Sequence, residues 1–526
     1  MYMYMYGQTV FSRLRWVTLS TPQYGTQFWA SDILVLSHPV RMLLRQIKMV
    51  LKRVAFSVRP SFQLVVIILS VLLVVWVLVL LQRPLDTMVS SKNEKIEVPR
   101  PLEYARTNPY DTQIETVYKQ GFLGYNTSRI PALVYHQGYF LAFCEARKET
   151  YRDIGGMDLV VRRGRQSGWK VKWEQVVVVA SKAGHRLMNP CPIVDRDLEA
   201  IVVVFIAIPA HLNQWTMVEM GFIQQQVMVT RSFDNGQTWT FPRDITDSTI
   251  GKMHIQPGIY APGPGHGIQT SSGKLIVPGN YFVKDTYGSA LKFEENIHDS
   301  ANYANVLISM DGGISWSLGG SIPYGTDLSG WTVHSNEAMV VELKEGVLML
   351  NSRTLHPDQP RVQSRSNNEG YSFFAGNLVP ELIEPGYKVV DNQSLASRIG
   401  GCQASLIGFP APNSASIPNT WLAFSNPASM YRERMSVRLS RDGGKTYSSP
   451  WTIYQGPSAY SDLTYFEIED PDTGLKLQNF ALLFEGGIDG PYERIMFKMF
   501  NLDALQSMVH RTVRQHRNEV DWNNSV

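Results

Sequence analysis

An eight-residue pattern returns along this chain. Ser232-Phe-Asp234-Asn-Gly236-Gln-Thr-Trp239 recurs as Ser309-Met-Asp311-Gly-Gly313-Ile-Ser-Trp316 and as Ser440-Arg-Asp442-Gly-Gly444-Lys-Thr-Tyr447. A fainter copy reads Ser366-Asn-Asn368-Glu-Gly370-Tyr-Ser-Phe373. Ser and Asp side chains fold back onto nearby backbone amides, and Gly takes the left-handed position of a tight turn. The aromatic residue is expected to open the next strand with its ring beneath the turn. One copy would be an ordinary hairpin, but a recurring copy means a repeated β-unit and radial repetition of small sheets. The copies lie 77, 57 and 74 residues apart. That exceeds one blade of about 40–45 residues, so some blades lack the motif or carry insertions. Dividing roughly 390 residues by about 65 per blade gives an all-β, six-bladed propeller.

The texture between the copies agrees. ALVYHQGYFLAFCE (132–145), KLIVPGNYFV (274–283), VLMLNSR (347–353) and FALLFEG (480–486) are short apolar or alternating runs bounded by turn residues. They read as strands, with almost no long helical period outside a possible helix from about Asp503. The expected propeller covers 111–505, with a tail at 506–526. Cys144, Cys191 and Cys402 are too few for a disulfide framework and have no metal spacing.

The N-terminal part differs. Residues 1–60 hold eight Lys/Arg against one acid, Asp32. Phe62–Gln82 (FQLVVIILSVLLVVWVLVLLQ) carries no charge. As a helix it would rise about 31 Å, enough for a hydrocarbon core of about 30 Å. A cleaved signal peptide fits poorly, because the run is long and starts late. The basic flank before it places 1–60 in the cytosol and makes 61–82 the membrane helix of a single-pass type II protein. Residues 83–110, polar and broken by prolines, read as a stalk. The home membrane is then the plasma membrane or an endomembrane facing a lumen. The overall charge of +3 does not point to nucleic acid.

Ser128-Arg129-Ile130-Pro131 opens the β-region and is followed by FCEAR, ending at Arg147. Together with the octets this resembles the sialidase (neuraminidase) family, over about 115–500. GHRLMNPCP (184–192), YAPGPGHGIQ (260–269) and SAYSDL (458–463) resemble the animal members. The resemblance implies an exo-α-sialidase that removes terminal sialic acid from glycolipids or glycoproteins with retention. It implies a carboxylate clamp of Arg129, Arg353 in LNSR and Arg432 in SNPASMYRERM, with Arg434 the competing third arginine. Guanidinium forks suit a carboxylate and keep their charge at any relevant pH. By the same resemblance Glu485 orients Arg129, Asp153 is the acid/base, Tyr460 the nucleophile and Glu337 its base. A phenol avoids the repulsion that an anionic nucleophile would meet beside the substrate carboxylate, and sialidases are the tyrosine exception among glycosidases. Glu337 and the arginines are expected to favour the phenolate.

Arg147, Asn189, Gln214 and Asn280 are the remaining expected substrate contacts, with Met188 and Pro190 beside Asn189. Two positions depart from the family pattern. Gln214 stands where relatives often have glutamate, Glu219 being out of register, and Asn280-Tyr281-Phe282 replaces a Tyr-x-Tyr pair. The octet aspartates are expected to hold turns only. No metal or organic cofactor is expected. A sialic-acid-binding propeller without turnover would keep the arginines but need not keep Asp153, Tyr460 and Glu337, whereas a trans-sialidase would use the same set.

Overall fold

The computed structural model describes residue 104 and residues 108–284, 300–323, 333–355, 359–386, 400–412, 419–470 and 474–510. All belong to the compact unit Pro99–Val526. The expected cytosolic segment, the membrane helix 61–82, most of the stalk and the end of the tail lie outside the described residues. Among the described residues no helix is long and apolar enough to cross a membrane. At the far end of the expected stalk, Tyr104 hydrogen-bonds Glu467 at 3.1 Å and Asp111 bridges Phe500, so the chain is already seated on the β-domain there.

The domain is all-β. Its strands form hydrogen-bonded sheets of seven, five, four and eight strands. Among the described strands pairing is antiparallel except at the contact between Met157 and Arg186, which joins the two halves of the eight-stranded sheet. In the seven-stranded sheet, Trp451–Glu469 pairs first with Glu433–Ser440 and then with Lys476–Gly486, so one long strand serves two neighbours. Inner strands such as Ala200–Pro209 (AIVVVFIAIP) are apolar at every position and buried up to the last residue. That is the pattern of a strand covered on both faces. Lys170–Ala180, paired on one side only, begins with alternating charged and apolar residues.

The sheets are pinned to one another by polar bonds at their inner strands. Asp462, wholly buried, accepts hydrogen bonds from Leu133 N at 2.8 Å and Ser405 Oγ at 2.7 Å, with His266 Nδ1 at 2.8 Å. At the end of the domain, residues 502–510 form the expected helix. Leu502, Leu505 and Val509 pack with Phe480, Phe484 and Phe500.

All four octets fold alike. In the first, Ser232 Oγ donates to Asp234 Oδ1 and accepts Gly236 N, each at 2.8 Å. Asp234 Oδ1 accepts Thr238 N at 2.9 Å, and Oδ2 accepts Thr238 Oγ1 at 2.6 Å. Asn368 reproduces the arrangement in the faint copy through Ser372. Two consecutive residues are left-handed, not one: Asn235 and Gly236, Gly312 and Gly313, Glu369 and Gly370, Gly443 and Gly444. The aromatic residue does not open the next strand. Trp316 directly precedes Ser317–Ser321, whereas Trp239 lies four residues before Arg243–Asp244.

The register Ile201↔Ser232, Leu275↔Ser309, Leu348↔Ser366 and Leu422↔Ser440 gathers the octets at one end of the sheets. The aspartates are held below the usual carboxylate range. Burial opposes this, but hydrogen bonds from the Thr or Ser four residues on outweigh it. Asp311→Ala removes the bonds to Ser309 and Ser315. It is expected to lower stability by about 1–2 kcal/mol while leaving KM within about twofold. Denaturant unfolding beside steady-state kinetics checks this.

Candidate active site

At the opposite end of the sheets from the octets lies a cavity of about 560 Å³. Two similar backbone devices shape its wall and deliver Arg129 and Asn189. In strand Thr127–His136, Ile130 takes a left-handed φ of 59°, and the register slips between Arg129 and Ala132. A β-branched residue is strained there. The following Pro131 brings no N–H, and the buried Glu485 carboxylate accepts Ile130 N at 2.9 Å. In strand His185–Asp195, Asn189 has φ 56° and again precedes a proline. There the register slips between Met188 and Cys191, and Glu145 accepts Asn189 N at 2.8 Å. Each bulge re-aims a side chain into the cavity.

Arg129 reaches Glu485 from Nε at 3.0 Å and from Nη2 at 3.4 Å. Arg353, just past strand Val347–Ser352, donates from Nη1 to Glu337 at 2.8 Å and to Tyr460 Oη at 3.1 Å. Arg432 donates from Nη1 to Tyr492 Oη at 2.7 Å. Arg434 is excluded from the cavity: its side chain is 58% exposed and lies 3.7 Å from Glu433. The structure therefore brings Arg129, Arg353 and Arg432 together.

Tyr460 Oη donates to Glu337 Oε1 at 2.5 Å, and its own amide is held by Glu485 Oε2 at 3.1 Å. Burial and the Glu337 charge push the Tyr460 phenol well above its ordinary pKa, against the pull of Arg353 and Arg432. Arg353 and Arg432 thus favour the phenolate in the expected direction, but in the free site burial and the Glu337 charge outweigh them. Asp153 lies at the cavity mouth with its side chain 61% exposed, 2.8 Å from Arg147 and 4.0 Å from Arg129. Desolvation opposes ionisation, but Arg147 and then Arg129 hold Asp153 below the usual carboxylate range.

Arg147, expected as a substrate contact, does not line the cavity. Wholly buried and outside the lining, it spends its guanidinium on Glu145, Asp153 and Tyr151 O. It lies behind the Asp153 loop because it ends a strand whose neighbours cover it. Asn189, Gln214 and Asn280 do line the cavity, as does Met188; Pro190 does not. Gln214 opens the short helix Gln214–Met220, capped by Asn213. Asn280 accepts from Asn336 Nδ2 at 3.2 Å. Strand alternation puts Phe282 in the lining beside Asn280. Tyr281 turns away to stack on Tyr303 at 5.1 Å. Glu219 is exposed and does not line the cavity.

Sequence reading misses Glu145, Arg186, Asn336 and Tyr492. The repeated X-Pro bulge facing a Glu is the signal that could have found Glu145. Arg129, Arg147, Arg152, Arg186, Arg353 and Arg432 stand in or just behind the lining with Glu145, Asp153, Glu337 and Glu485, six cations against four carboxylates. Among the described residues neither Arg432, which donates to the Tyr492 phenol, nor Arg186, which donates to the Pro209 and Leu212 carbonyls, forms an ion pair with a carboxylate, so unpaired positive charge lies at both. The arrangement can hold a monoanion beside a phenol–carboxylate pair. Among the described residues no group of His, Cys, Asp and Glu has the geometry of a metal site.

Residues 138–469 match the BNR repeat-like domain family, so the chain is an Asp-box repeat protein. It is similar to Sialidase-2 of Cricetulus griseus, 32% identical over 405 residues that cover 74% of this chain and 95% of that protein. Sialidase-4 of Mus musculus is 30% identical over 473 residues, covering 73% and 92%. The fold is similar to a Hadza microbial sialidase at TM-score 0.57 and 23% identity, covering 74% of this chain and 69% of that one. It is also similar to Trypanosoma rangeli sialidase in complex with the inhibitor DANA, at TM-score 0.52 and 17% identity, covering 76% and 58%. The chain belongs to the sialidase family, and it is a glycoside hydrolase of the exo-sialidase type.

The geometry separates the two arginines that the sequence left open. Arg432→Lys keeps the charge but loses the planar fork, and kcat/KM is expected to fall more than about tenfold. Arg434→Lys is expected to stay within about twofold. Parallel kinetics on the two variants check this, and the reverse order would move the third arginine by two positions.

Proposed function

We propose that this protein releases terminal α-linked sialic acid from glycolipids or glycoproteins by double displacement at Tyr460. The observation that carries the reading is the Tyr460 phenol, 2.5 Å from Glu337 and 3.1 Å from Arg353, inside a cavity where arginines outnumber carboxylates. Arg129, Arg353 and Arg432 grip the substrate carboxylate at about 1.5–3 kcal/mol per charge-assisted bond. Tyr460 Oη attacks the anomeric carbon while Glu337 takes the phenolic proton. The bond to the aglycone oxygen breaks as Asp153 donates a proton to it. In the second half Asp153, now a carboxylate, takes a proton from water as that water attacks. The phenol leaves with the proton returned by Glu337, and two inversions give net retention.

A six-bladed propeller is supported by the pairing pattern. The eight-stranded sheet divides at Met157–Arg186, and the seven-stranded sheet divides along Trp451–Glu469. With the five- and four-stranded sheets these divisions make six groups. Gln214 and Phe282, which stand where the family pattern has other residues, face the sugar's N-acyl or glycerol end in this reading and set preference more than chemistry.

The depressed pKa of Asp153 carries a pH signature. An acid must be protonated to act, so in the free protein its useful form disappears as pH rises through a value below the usual carboxylate range. A substrate carboxylate beside Arg129 offsets part of the pull on Asp153 and raises its pKa in the complex. The falling limb of kcat is therefore expected at higher pH than that of kcat/KM, by about one unit or more. Hydrolysis of a natural sialoside across pH checks this, and coincident limbs would count against Asp153 as the acid.

For topology, the uncharged run Phe62–Gln82 between a basic flank and a polar stretch supports a type II membrane protein with 83–526 outside the cytosol. The sequons at Asn126, Asn392 and Asn523 would then meet the glycosylation machinery. Intact cells are expected to yield a glycosidase-sensitive mass shift and a catalytic domain on the non-cytosolic side. A cytosolic, unglycosylated domain would overturn the topology and leave the chemistry untouched.

A further inference from the structure

Tyr492 stands where three parts of the site meet. It lies in the turn 487–493 after strand Lys476–Gly486. The Glu493 carboxylate stiffens that turn by accepting the amides of Ile488, Asp489 and Gly490 at 3.0, 2.7 and 2.8 Å. The Tyr492 oxygen accepts from Arg432 Nη1 at 2.7 Å, and its ring face lies 4.1 Å from the Arg129 guanidinium carbon. Tyr151 stacks on the same ring, with centroids 5.6 Å apart and planes 19° from parallel. Tyr151 is two residues from Asp153, on the loop between Arg147 and Met157.

That loop is exposed from Tyr151 to Ile154. Arg147 ties it down through Tyr151 O and the Asp153 carboxylate. The aromatic stack adds a tie to a different sheet, the one that carries Tyr460 and Glu485. Both guanidiniums that touch Tyr492 are expected to bind the substrate carboxylate. When a carboxylate draws them in, the phenol oxygen and the ring face move with them, and Tyr151 lies against that ring.

We propose that Tyr492 is a positioning residue that couples occupancy of the arginine clamp to the placement of the Asp153 loop, through its stack with Tyr151. The inference rests on reading Arg129 and Arg432 as clamp and Asp153 as acid. Its chemical consequence is selective. The hydrogen bond to Arg432 affects binding of the sugar acid whatever the aglycone. The stack affects proton donation, which matters most when the leaving oxygen is a poor leaving group.

Three variants of the full chain separate these parts, each assayed on a natural sialoside and on one with an activated phenol leaving group. Tyr492→Phe keeps the ring, so it is expected to raise KM about five- to tenfold on both substrates, with kcat within about twofold. Tyr151→Leu is expected to leave KM unchanged and to lower kcat on the natural sialoside at least about tenfold more than on the activated one. Tyr492→Leu is expected to show both effects, and adding Tyr151→Leu to it is expected to cost kcat nothing further. Asp153→Ala is the reference. If Asp153→Ala is sensitive to the leaving group and Tyr151→Leu is not, the coupling is wrong and the acid assignment stands. If Asp153→Ala is itself insensitive, the acid assignment fails first. Equal losses on both substrates for Tyr151→Leu and Tyr492→Leu would overturn the proposal by reducing both residues to packing.

Discussion

One buried carboxylate holds this site together. Glu485 is wholly inaccessible and accepts four hydrogen bonds, from Arg129 Nε and Nη2, Ile130 N and Tyr460 N. An isolated buried charge would cost several kcal/mol, and only a full set of partners offsets that. Those partners come from opposite ends of the chain. Arg129 and Ile130 lie on an early strand of the eight-stranded sheet, and Tyr460 lies on a late strand of the seven-stranded one. Glu485 thus fixes the left-handed bulge that aims Arg129, and it fixes the backbone from which Tyr460 projects. Removing it would leave Arg129 buried without its counter-charge, a change worth about 3–5 kcal/mol.

The repeated β-unit reuses this device. Glu145 meets the Asn189 bulge as Glu485 meets the Ile130 bulge, each carboxylate on one strand capping a left-handed amide on a neighbour. The spare capacity of the two acids differs. Glu485 turns to the clamp, whereas Glu145 turns to Arg147, which in turn holds Asp153. The octets make the same argument from the other end of the sheets. They tie their own turns and leave the opposite loops free to carry chemistry, a rigid scaffold bearing functional loops.

Much of this was legible in the sequence, for identifiable reasons. The octets announced themselves because each is a local hydrogen-bonded unit, complete within seven residues. Arg129, Arg353, Glu337, Tyr460 and Glu485 sit in short motifs, and the structure gathers them around one cavity. Sequence could not rank Arg432 against Arg434, because residues two apart share a face of a strand. The choice is made by chain direction at the strand edge, where Arg434 is left-handed with φ 60°. Arg147 was expected in the cavity, but whether an arginine touches a ligand or backs the loop that does is a matter of tertiary depth. Tyr492 gave no signal, since it acts through partners far away in the chain; Arg186 lies within GHRLMNPCP, but its partners Pro209 and Leu212 lie beyond that stretch. The run 61–82 is the converse case: a strong local signal outside the described residues.

The central claim is that Tyr460 forms the bond to the sugar. It is tested most directly by trapping that bond with a 2,3-difluorinated sialic acid, whose fluorine at C2 leaves readily and whose fluorine at C3 slows hydrolysis of the product. Intact-mass measurement followed by peptide mapping is expected to find one added sugar, on the peptide that contains Tyr460, and none after Tyr460→Phe. A label on Glu337 or Asp153, or labelling that survives Tyr460→Phe, would contradict the account.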